Sequence, residues 1–99
     1  MRDITDAEFE SVVGFGRVLV EFYSTNCPPC RALGPILDRL AKDLPDVVFV
    51  KVNVDNHMEH ASKLGLTSVP TLVLYDNGQE IKRHVGLISA TDLTAWVCL

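Results

Sequence analysis

The sequence has few cysteines, no basic stretch and no long apolar run, and each absence excludes a class of protein. Three unevenly placed cysteines in 99 residues are too few for a secreted scaffold that disulfides hold together. A net charge of -4 without a cluster of Lys and Arg gives no reason to expect a nucleic-acid partner. No apolar run approaches the roughly 18 residues that span a bilayer, so no membrane partner is expected.

Length and composition are those of an ordinary globular protein. Hydrophobic residues make up 47% of the chain and charged residues 22%. A chain of 99 residues can bury one core but is too short for two, so we expect a single domain over residues 1–99. The polar, acidic start "MRDITDAEFE" is unlike a secretory signal, which predicts a cytoplasmic protein.

The spacing of apolar residues predicts helices alternating with strands. The predicted elements are a helix over 6–13 opened by the capping box Thr5–Glu8, a strand over 17–23, a helix over 29–43, a strand over 47–54, a helix capped by Asp55 or Asn56 and ended by Gly65, a hairpin around Asn77–Gly78, and a last helix capped by Ser89. Such alternation favours parallel strands joined by crossovers, with the hairpin adding antiparallel strands. The predicted fold class is therefore α/β, a mixed sheet with helices on both faces.

Two cysteines, Cys27 and Cys30, stand at the start of the second predicted helix with only prolines between them. By itself such a pair fits a redox couple, half of a metal site or a structural staple. In a reducing compartment a catalytic or metal-binding pair is favoured over a structural one. The third cysteine, Cys98, is expected to be a small buried residue of the last helix.

A metal site would need further ligands, and "HMEH" offers His57 and His60 on one helix face. Together with Cys27 and Cys30 they make a nominal Cys₂His₂ set. The segment between the two pairs is much longer than in a zinc finger and contains a whole predicted strand. We therefore disfavour this alternative and expect no metal.

Several motifs together resemble one family along the whole chain. They are "VEFYSTNCPPCRALGPILDRLA", "VKVNVD", "SVPTLVLYDNG" and "HVGLIS". The chain resembles the thioredoxin family, which implies a thioredoxin fold and a thiol–disulfide oxidoreductase without a separate cofactor. Since the start is unlike a signal peptide, we further expect reduction of disulfide-containing proteins in the cytoplasm, with a thioredoxin reductase-type donor that recycles the chain, which is expected to be a monomer. Oxidants, isomerases, reductases of a single partner and binding modules share this fold and remain alternatives.

Thiol–disulfide exchange needs one accessible thiolate and a second thiol that resolves the mixed disulfide. We expect Cys27 exposed at the helix cap as the nucleophile and Cys30 facing inward in the first turn. The helix dipole contributes only about 0.3–1 kcal/mol toward ionising the thiol. Hydrogen bonds from the first turn must therefore contribute as well.

The two prolines fit the first helical turn, but they lack N–H groups that a thiolate could use. Cys30 N–H and Arg31 N–H remain as the expected donors, helped by the Arg31 charge. The family more often has Gly-Pro between its cysteines. We therefore hypothesise that Pro28 removes one thiolate donor and stiffens the dithiol, so that the redox poise differs from that of the family. Pro29 is expected to tune the thiol pKa.

Glu21 interrupts a buried apolar run, where a carboxylate is costly without a partner or a task. By the resemblance it occupies the position of a buried acid that assists proton transfer at Cys30. Burial should raise its pKa, which suits a general base. The alternative is a structural ion pair with Lys51, which corresponds to the family's lysine beside that acid.

The resemblance also assigns substrate contacts. Pro70 corresponds to a cis-proline, which would leave the Val69 backbone free to pair with an extended substrate segment. Gly86 would allow a partner's backbone to approach, and Pro28 lies on the same expected surface. Asn26 stands where the family usually has a Trp that contacts partners, so this chain departs from the family there.

Overall fold

The structure, a computed structural model, describes residues 1–98. Its elements alternate along the chain as the apolar spacing predicts. They are β1 (Arg2–Asp3), α1 (Asp6–Val13), β2 (Arg17–Tyr23), α2 (Pro28–Asp43), β3 (Val47–Asn53), α3 (Glu59–Lys63), β4 (Thr71–Asp76), β5 (Gln79–Val85) and α4 (Ala90–Cys98). None of the helices within residues 1–98 is both long and apolar enough to cross a membrane.

The five strands form one mixed sheet in the order β1-β3-β2-β4-β5. Strand β3 pairs in parallel with both β1 and β2, whereas β4 pairs antiparallel with β2 and with β5. β2 lies in the middle, which is why its run "VLVEF" is buried throughout. The predicted α/β class with a mixed sheet is confirmed.

Each face of the sheet carries its own apolar cluster, because alternate residues of a strand point to opposite faces. On one face, Phe9 of α1 and Ala61 of α3 pack against Val20 and its neighbours. On the other, Leu33 and Leu37 of α2 pack with Leu19 and with α4. Both faces are thus covered by helices, as expected.

Three boundaries differ from the predicted ones. Helix α2 starts one residue earlier, at Pro28, and β3 ends one residue earlier, at Asn53. Helix α3 is much shorter than predicted, with Met58 at its N-cap and no side-chain cap. The expected caps Asp55 and Asn56 both lie before this N-cap, and the Asp55 carboxylate accepts the Thr25 N–H at 2.9 Å.

The turn signals at the other helix and strand ends are confirmed. Asn77 and Gly78 have φ of 50° and 86°, which a two-residue hairpin turn requires. Gly65 ends the α3 region with φ of 70°. The Ser89 Oγ accepts the Asp92 N–H at 3.1 Å and caps α4.

The prediction that Cys98 is buried is wrong. Cys98 is an exposed free cysteine near the end of α4. The inward stripe of this helix is Leu93 and Val97, four residues apart. Cys98 lies one residue beyond Val97 and is therefore turned away from that stripe by about 100°.

Candidate active site around the Cys27–Cys30 disulfide

The two cysteines lie where β2 passes into α2. Cys27 is the N-cap of α2 and Cys30 lies in the first turn, as predicted. The two form a disulfide with their Cα atoms 5.2 Å apart. The Cys30 N–H donates to the Cys27 Sγ at 3.2 Å, so a helix-capping hydrogen bond already points at this sulfur.

The expectation that Cys27 is exposed is wrong for this bridged form. Cys27 and Cys30 are each only 5% exposed. A disulfide bond brings the two sulfurs into contact, so each covers part of the other. The residues beside Cys27, Asn26 and Pro28, are exposed.

One of the two donors predicted for the Cys27 sulfur is used elsewhere. The Arg31 N–H donates to the Cys27 carbonyl oxygen at 3.1 Å, because it makes the first backbone bond of the helix. The Arg31 guanidinium donates to the Thr25 carbonyl oxygen at 3.4 Å. Within residues 1–98, the Cys30 N–H is therefore the one donor to the Cys27 sulfur.

The helix start also changes the roles of the prolines. Pro28 and Pro29 occupy the first and second helical positions after the Cys27 cap. A capping side chain accepts from the second or third position, not from the first. The missing donor therefore belongs to Pro29 and not to Pro28.

The loop before Cys27 has supports that the sequence analysis missed. The Thr25 N–H donates to Asp55 at 2.9 Å, and the Asn53 amide donates to the Thr25 hydroxyl at 3.2 Å. Asn53 is the last residue of β3 and Asp55 lies two residues beyond it, and β3 lies beside β2 in the sheet. The only sequence signal is that polar residues end both neighbouring parallel strands at one edge.

Glu21 is buried as predicted and is 2% exposed. Its Oε2 has no hydrogen-bond partner within residues 1–98. Burial raises the pKa of Glu21 to about 7, while Lys51 lowers it and the charges of Asp38 and Asp3 raise it further. This carboxyl can therefore exchange a proton near neutral pH.

A pocket of about 180 Å³ is lined by both Glu21 and Cys30. Cys30 and Arg31 line it from α2, and Glu21, Tyr23 and Lys51 line it from the sheet. Thr25 lines it too, and neither Tyr23 nor Thr25 was predicted from the sequence to belong to the site. The pocket is wide enough for water, which could carry a proton between the Glu21 carboxyl and Cys30.

Lys51 is the partner of Glu21 in the pairing of β2 with β3. The structural alternative of a Glu21–Lys51 ion pair is nevertheless not formed among the described residues. The Lys51 ammonium instead faces Asp3, with Nζ 3.9 Å from Oδ2. Lys51 thus acts on Glu21 through its charge and not through a direct contact.

The predicted substrate-contacting loop has the expected backbone. The Val69–Pro70 peptide bond is cis, as the resemblance implied. The Gly86 N–H donates to the Pro70 carbonyl oxygen at 2.8 Å, and Gly86 has φ of 94°, which favours glycine. Within residues 1–98, the Val69 N–H and C=O make no hydrogen bond.

The two histidines of the metal alternative face another element. The His60 Nδ1 lies 3.1 Å from Asp6 Oδ1 of α1, and the His57 Nδ1 lies 3.8 Å from Asp6 Oδ2. The two active-site sulfurs are bonded to each other. Residues 1–98 contain no group of three or more His, Cys, Asp or Glu side chains that could hold a metal ion.

Comparisons with known proteins agree with this arrangement. The family model described as Thioredoxin matches residues 1–98. The chain is 42% identical to a thioredoxin of Chlamydia pneumoniae, over 92% of this chain and 89% of that protein. It is 40% identical to a thioredoxin of Rickettsia bellii, over 96% of this chain and 93% of that protein.

A solved structure shows the same likeness in three dimensions. It comes from work on the structural basis of the thiol resolving mechanism in yeast mitochondrial 1-Cys peroxiredoxin via glutathione/thioredoxin systems. Its TM-score with this chain is 0.90 at 31% identity, covering 99% of this chain and 93% of the other.

Proposed function

We propose how this chain works from one premise: it belongs to the thioredoxin family and is a thiol–disulfide oxidoreductase that acts on protein disulfides. The proposal is that it reduces these disulfides through the Cys27–Cys30 pair. The observation that carries it is the disulfide at the N-terminus of α2, joined by a pocket to a buried carboxyl with a pKa of about 7.

In the proposed reaction the reduced Cys27 thiolate attacks one sulfur of a substrate disulfide. The substrate S–S bond breaks, a mixed disulfide forms and the first substrate sulfur leaves as a thiolate. The Cys30 thiolate then attacks the Cys27 Sγ, which releases the second substrate thiolate. The two electrons given to the substrate leave this chain as the Cys27–Cys30 disulfide.

Glu21 is proposed as the general base of the second half of this reaction. Cys30 must lose a proton before it can attack, and Glu21 borders the same pocket. An ordinary carboxyl, with a pKa near 4.5, would be a weak base at neutral pH. The burial of Glu21 raises its pKa to about 7, which makes it a stronger base at neutral pH.

Three residues are proposed to tune the ionisation of the dithiol and its base. The Arg31 guanidinium, held by the Thr25 carbonyl oxygen, places a positive charge beside the Cys27 end of α2. Pro29 withholds a second donor from the Cys27 sulfur. Lys51 favours the charged form of Glu21.

The substrate segment is proposed to lie along Val69. The free Val69 N–H and C=O can pair with an extended backbone, in the manner of strand addition. The neighbouring Pro70 is buried, and Gly86 leaves open space where a side chain would project. Asn26 and Pro28 are exposed next to Cys27 and would form the rim that the substrate meets first.

The direction of electron flow and the setting complete the proposal. A reducing compartment such as the cytoplasm would let a thioredoxin reductase-type donor return the disulfide to the dithiol. The chain would then transfer electrons to disulfide-containing proteins and contribute to redox homeostasis. It would act as a monomer, with residues 1–99 as one domain.

The test is an insulin-type disulfide reduction assay on the wild-type protein and on the variants Cys27→Ser and Cys30→Ser. We expect turnover only in the wild type. Cys30→Ser should retain Cys27 and accumulate a covalent mixed disulfide, because the second step is blocked. A redox titration of the wild type gives the direction of flow. Turnover that survives Cys27→Ser, or a Cys30→Ser variant that traps nothing, would refute the assignment.

A further inference from the structure

Three charged residues form one row across three neighbouring strands. Asp3 of β1 pairs with Lys51 of β3, and Lys51 pairs with Glu21 of β2. Paired residues of adjacent strands project to the same face of a sheet. The two acids therefore lie on either side of the Lys51 ammonium group, and each acid has this positive charge as its neighbour in the row.

Asp3 has a separate partner for each of its carboxylate oxygens. Oδ1 accepts a hydrogen bond from the Tyr23 hydroxyl at 2.5 Å, and Oδ2 lies 3.9 Å from the Lys51 ammonium. Burial and this hydrogen bond raise the pKa of Tyr23 to about 12, so the hydroxyl remains a donor. Lys51 Nζ also lies 5.4 Å from the centre of the Tyr23 ring. The three side chains thus hold one another in a closed triangle.

The contacts among Asp3, Tyr23 and Lys51 determine which side chains can pair with Glu21. Tyr23 and Lys51 line the pocket that Glu21 shares with Cys30. Because Lys51 faces Asp3, Glu21 forms no ion pair within residues 1–98, and its Oε2 has no hydrogen-bond partner there. A Lys51 side chain released from Asp3 would have Glu21 as its remaining acidic neighbour in the row.

We propose that Asp3 is a positioning residue for the resolving step, because it draws Lys51 and Tyr23 away from Glu21 and leaves the Glu21 carboxyl free to face the pocket beside Cys30. This inference rests on the proposed function and adds to it a residue of β1, the edge strand two positions away from β2. Asp3 itself touches neither cysteine in any contact of the structure.

The charges around Glu21 are consistent with this role. Lys51 lowers the pKa of Glu21, whereas Asp3 from β1 and Asp38 from α2 raise it. Arg31 of α2 lines the same pocket, and the Asp38 carboxylate is itself paired with the Met1 amino group at 2.9 Å. Asp3 is the one of these groups whose position is tied to both Lys51 and Tyr23.

The test measures the resolving step as a function of pH in the reduced, full-length protein. The reduced protein is mixed rapidly with a disulfide substrate, and release of the second substrate thiol, after the first, is followed for wild type and Asp3→Asn. We expect the acid limb of the Asp3→Asn profile to move to lower pH by about half a unit, because Lys51 then acts on Glu21 unopposed. Asp3→Glu, which keeps the charge, should restore the wild-type profile.

Two further variants separate positioning from a general charge effect. Asp46→Asn makes the same change in net charge at an exposed residue before β3 and should leave the profile unchanged. Lys51→Met should move the acid limb to higher pH. In the Lys51→Met background, Asp3→Asn should shift the limb by less than half of its effect in the wild-type background, because the group through which Asp3 acts is gone.

The inference is overturned if the Asp3→Asn profile matches that of wild type, or if its shift is the same with and without Lys51. Both results concern only Asp3 and require a wild type that resolves the mixed disulfide. A wild type that fails to release the second thiol at any pH would instead refute the proposed function.

Discussion

Two ionisable side chains are buried on opposite faces of the same sheet, and they differ in what surrounds them. Glu21 is 2% exposed on the face covered by α2, and His60 is 6% exposed on the face covered by α1 and α3. Each has one buried atom without a hydrogen-bond partner within residues 1–98, Oε2 of Glu21 and Nε2 of His60. Burial and an unpaired atom therefore do not distinguish them.

Their surroundings do distinguish them. His60 stacks on the Phe9 ring with centroids 4.1 Å apart, and its Nδ1 contacts Asp6, so it fastens α3 to α1. Glu21 has no such partner and borders a pocket that reaches a reactive sulfur. A buried ionisable group thus points to chemistry when it has access to a reacting atom and lacks a structural partner. The predictions for Glu21 and for Asp6 test the two sides of this difference, and the last prediction tests the reacting sulfur itself.

The largest effect is expected for Glu21→Gln, with activity and stability changing in opposite directions. The resolving step should slow by about 10- to 100-fold, because Cys30 loses its base. The pKa of Glu21 is raised from 4.5 to about 7 in the folded protein. The protonated carboxyl therefore contributes fully to the free energy of unfolding below pH 4.5, and this contribution is lost as pH rises through about 7. Denaturant unfolding should therefore show the variant about 3 kcal/mol more stable than wild type at pH 8, and similar at pH 4.

A matched control makes the same substitution beside His60. Glu10 is exposed and its carboxylate lies 3.7 Å from His60 Nε2. Glu10→Gln should change the free energy of unfolding by less than about 0.5 kcal/mol and leave the resolving rate unchanged. If Glu21→Gln left the rate unchanged and lowered stability, Glu21 would be a structural residue like His60.

A smaller effect is expected for Asp6→Ala on the His60 side. The carboxylate accepts hydrogen bonds from Glu59 N–H, His60 N–H and the His60 ring, so its removal should cost about 1–2 kcal/mol of stability. Partial burial raises the pKa of Asp6, but these bonds outweigh it and lower the pKa below 3.8. The contribution is therefore present above pH 3.8 and is lost as pH falls further.

The redox potential and the resolving rate of Asp6→Ala should equal those of wild type. Asp46→Ala, which removes an exposed carboxylate, controls for the change in net charge. A shift in the potential of Asp6→Ala would mean that the His60 face is coupled to the dithiol, and the contrast between the two faces would fail.

The smallest effect concerns the dithiol itself. Pro29→Ala restores an N–H at the second position of α2, where it can donate to the Cys27 thiolate. We expect the pKa of the reduced Cys27 thiol to fall by about half a unit to one unit, measured by the pH dependence of alkylation. Pro28→Ala, at the first position, should have a much weaker effect. Equal effects of the two substitutions would contradict this reading of the cap.

Much of the fold could be predicted because it depends on local rules. The run Arg17–Tyr23 and the capping box at Thr5 define their elements from residues that are neighbours in sequence. The same holds for Cys27 as a cap, since a helix begins directly after it. The cis bond before Pro70 was expected from the family resemblance alone, because its sequence neighbours do not distinguish the two isomers.

The errors share a different origin. Asp55 or Asn56 was expected to cap α3, but the helix begins later, after Met58, and the Asp55 carboxylate binds the distant Thr25 N–H. Cys27 was expected to be exposed, but its own partner covers it. The row from Asp3 to Glu21 was missed because β1 has only two residues, too few to show any period. The first and third errors depend on residues that are distant in the chain, and the second depends on the redox state of a pair only three residues apart.

The sequence by itself determined the order of helices and strands, the burial of Glu21 and the position of the cysteine pair at a helix start. These follow from apolar spacing and capping, which act over a few residues. Only the tertiary structure decided which groups meet Glu21: the pocket to Cys30, and the Lys51 ammonium drawn toward Asp3 and away from it. The reason is that charge acts through space, and three strands far apart in the chain must pair before these side chains share one face.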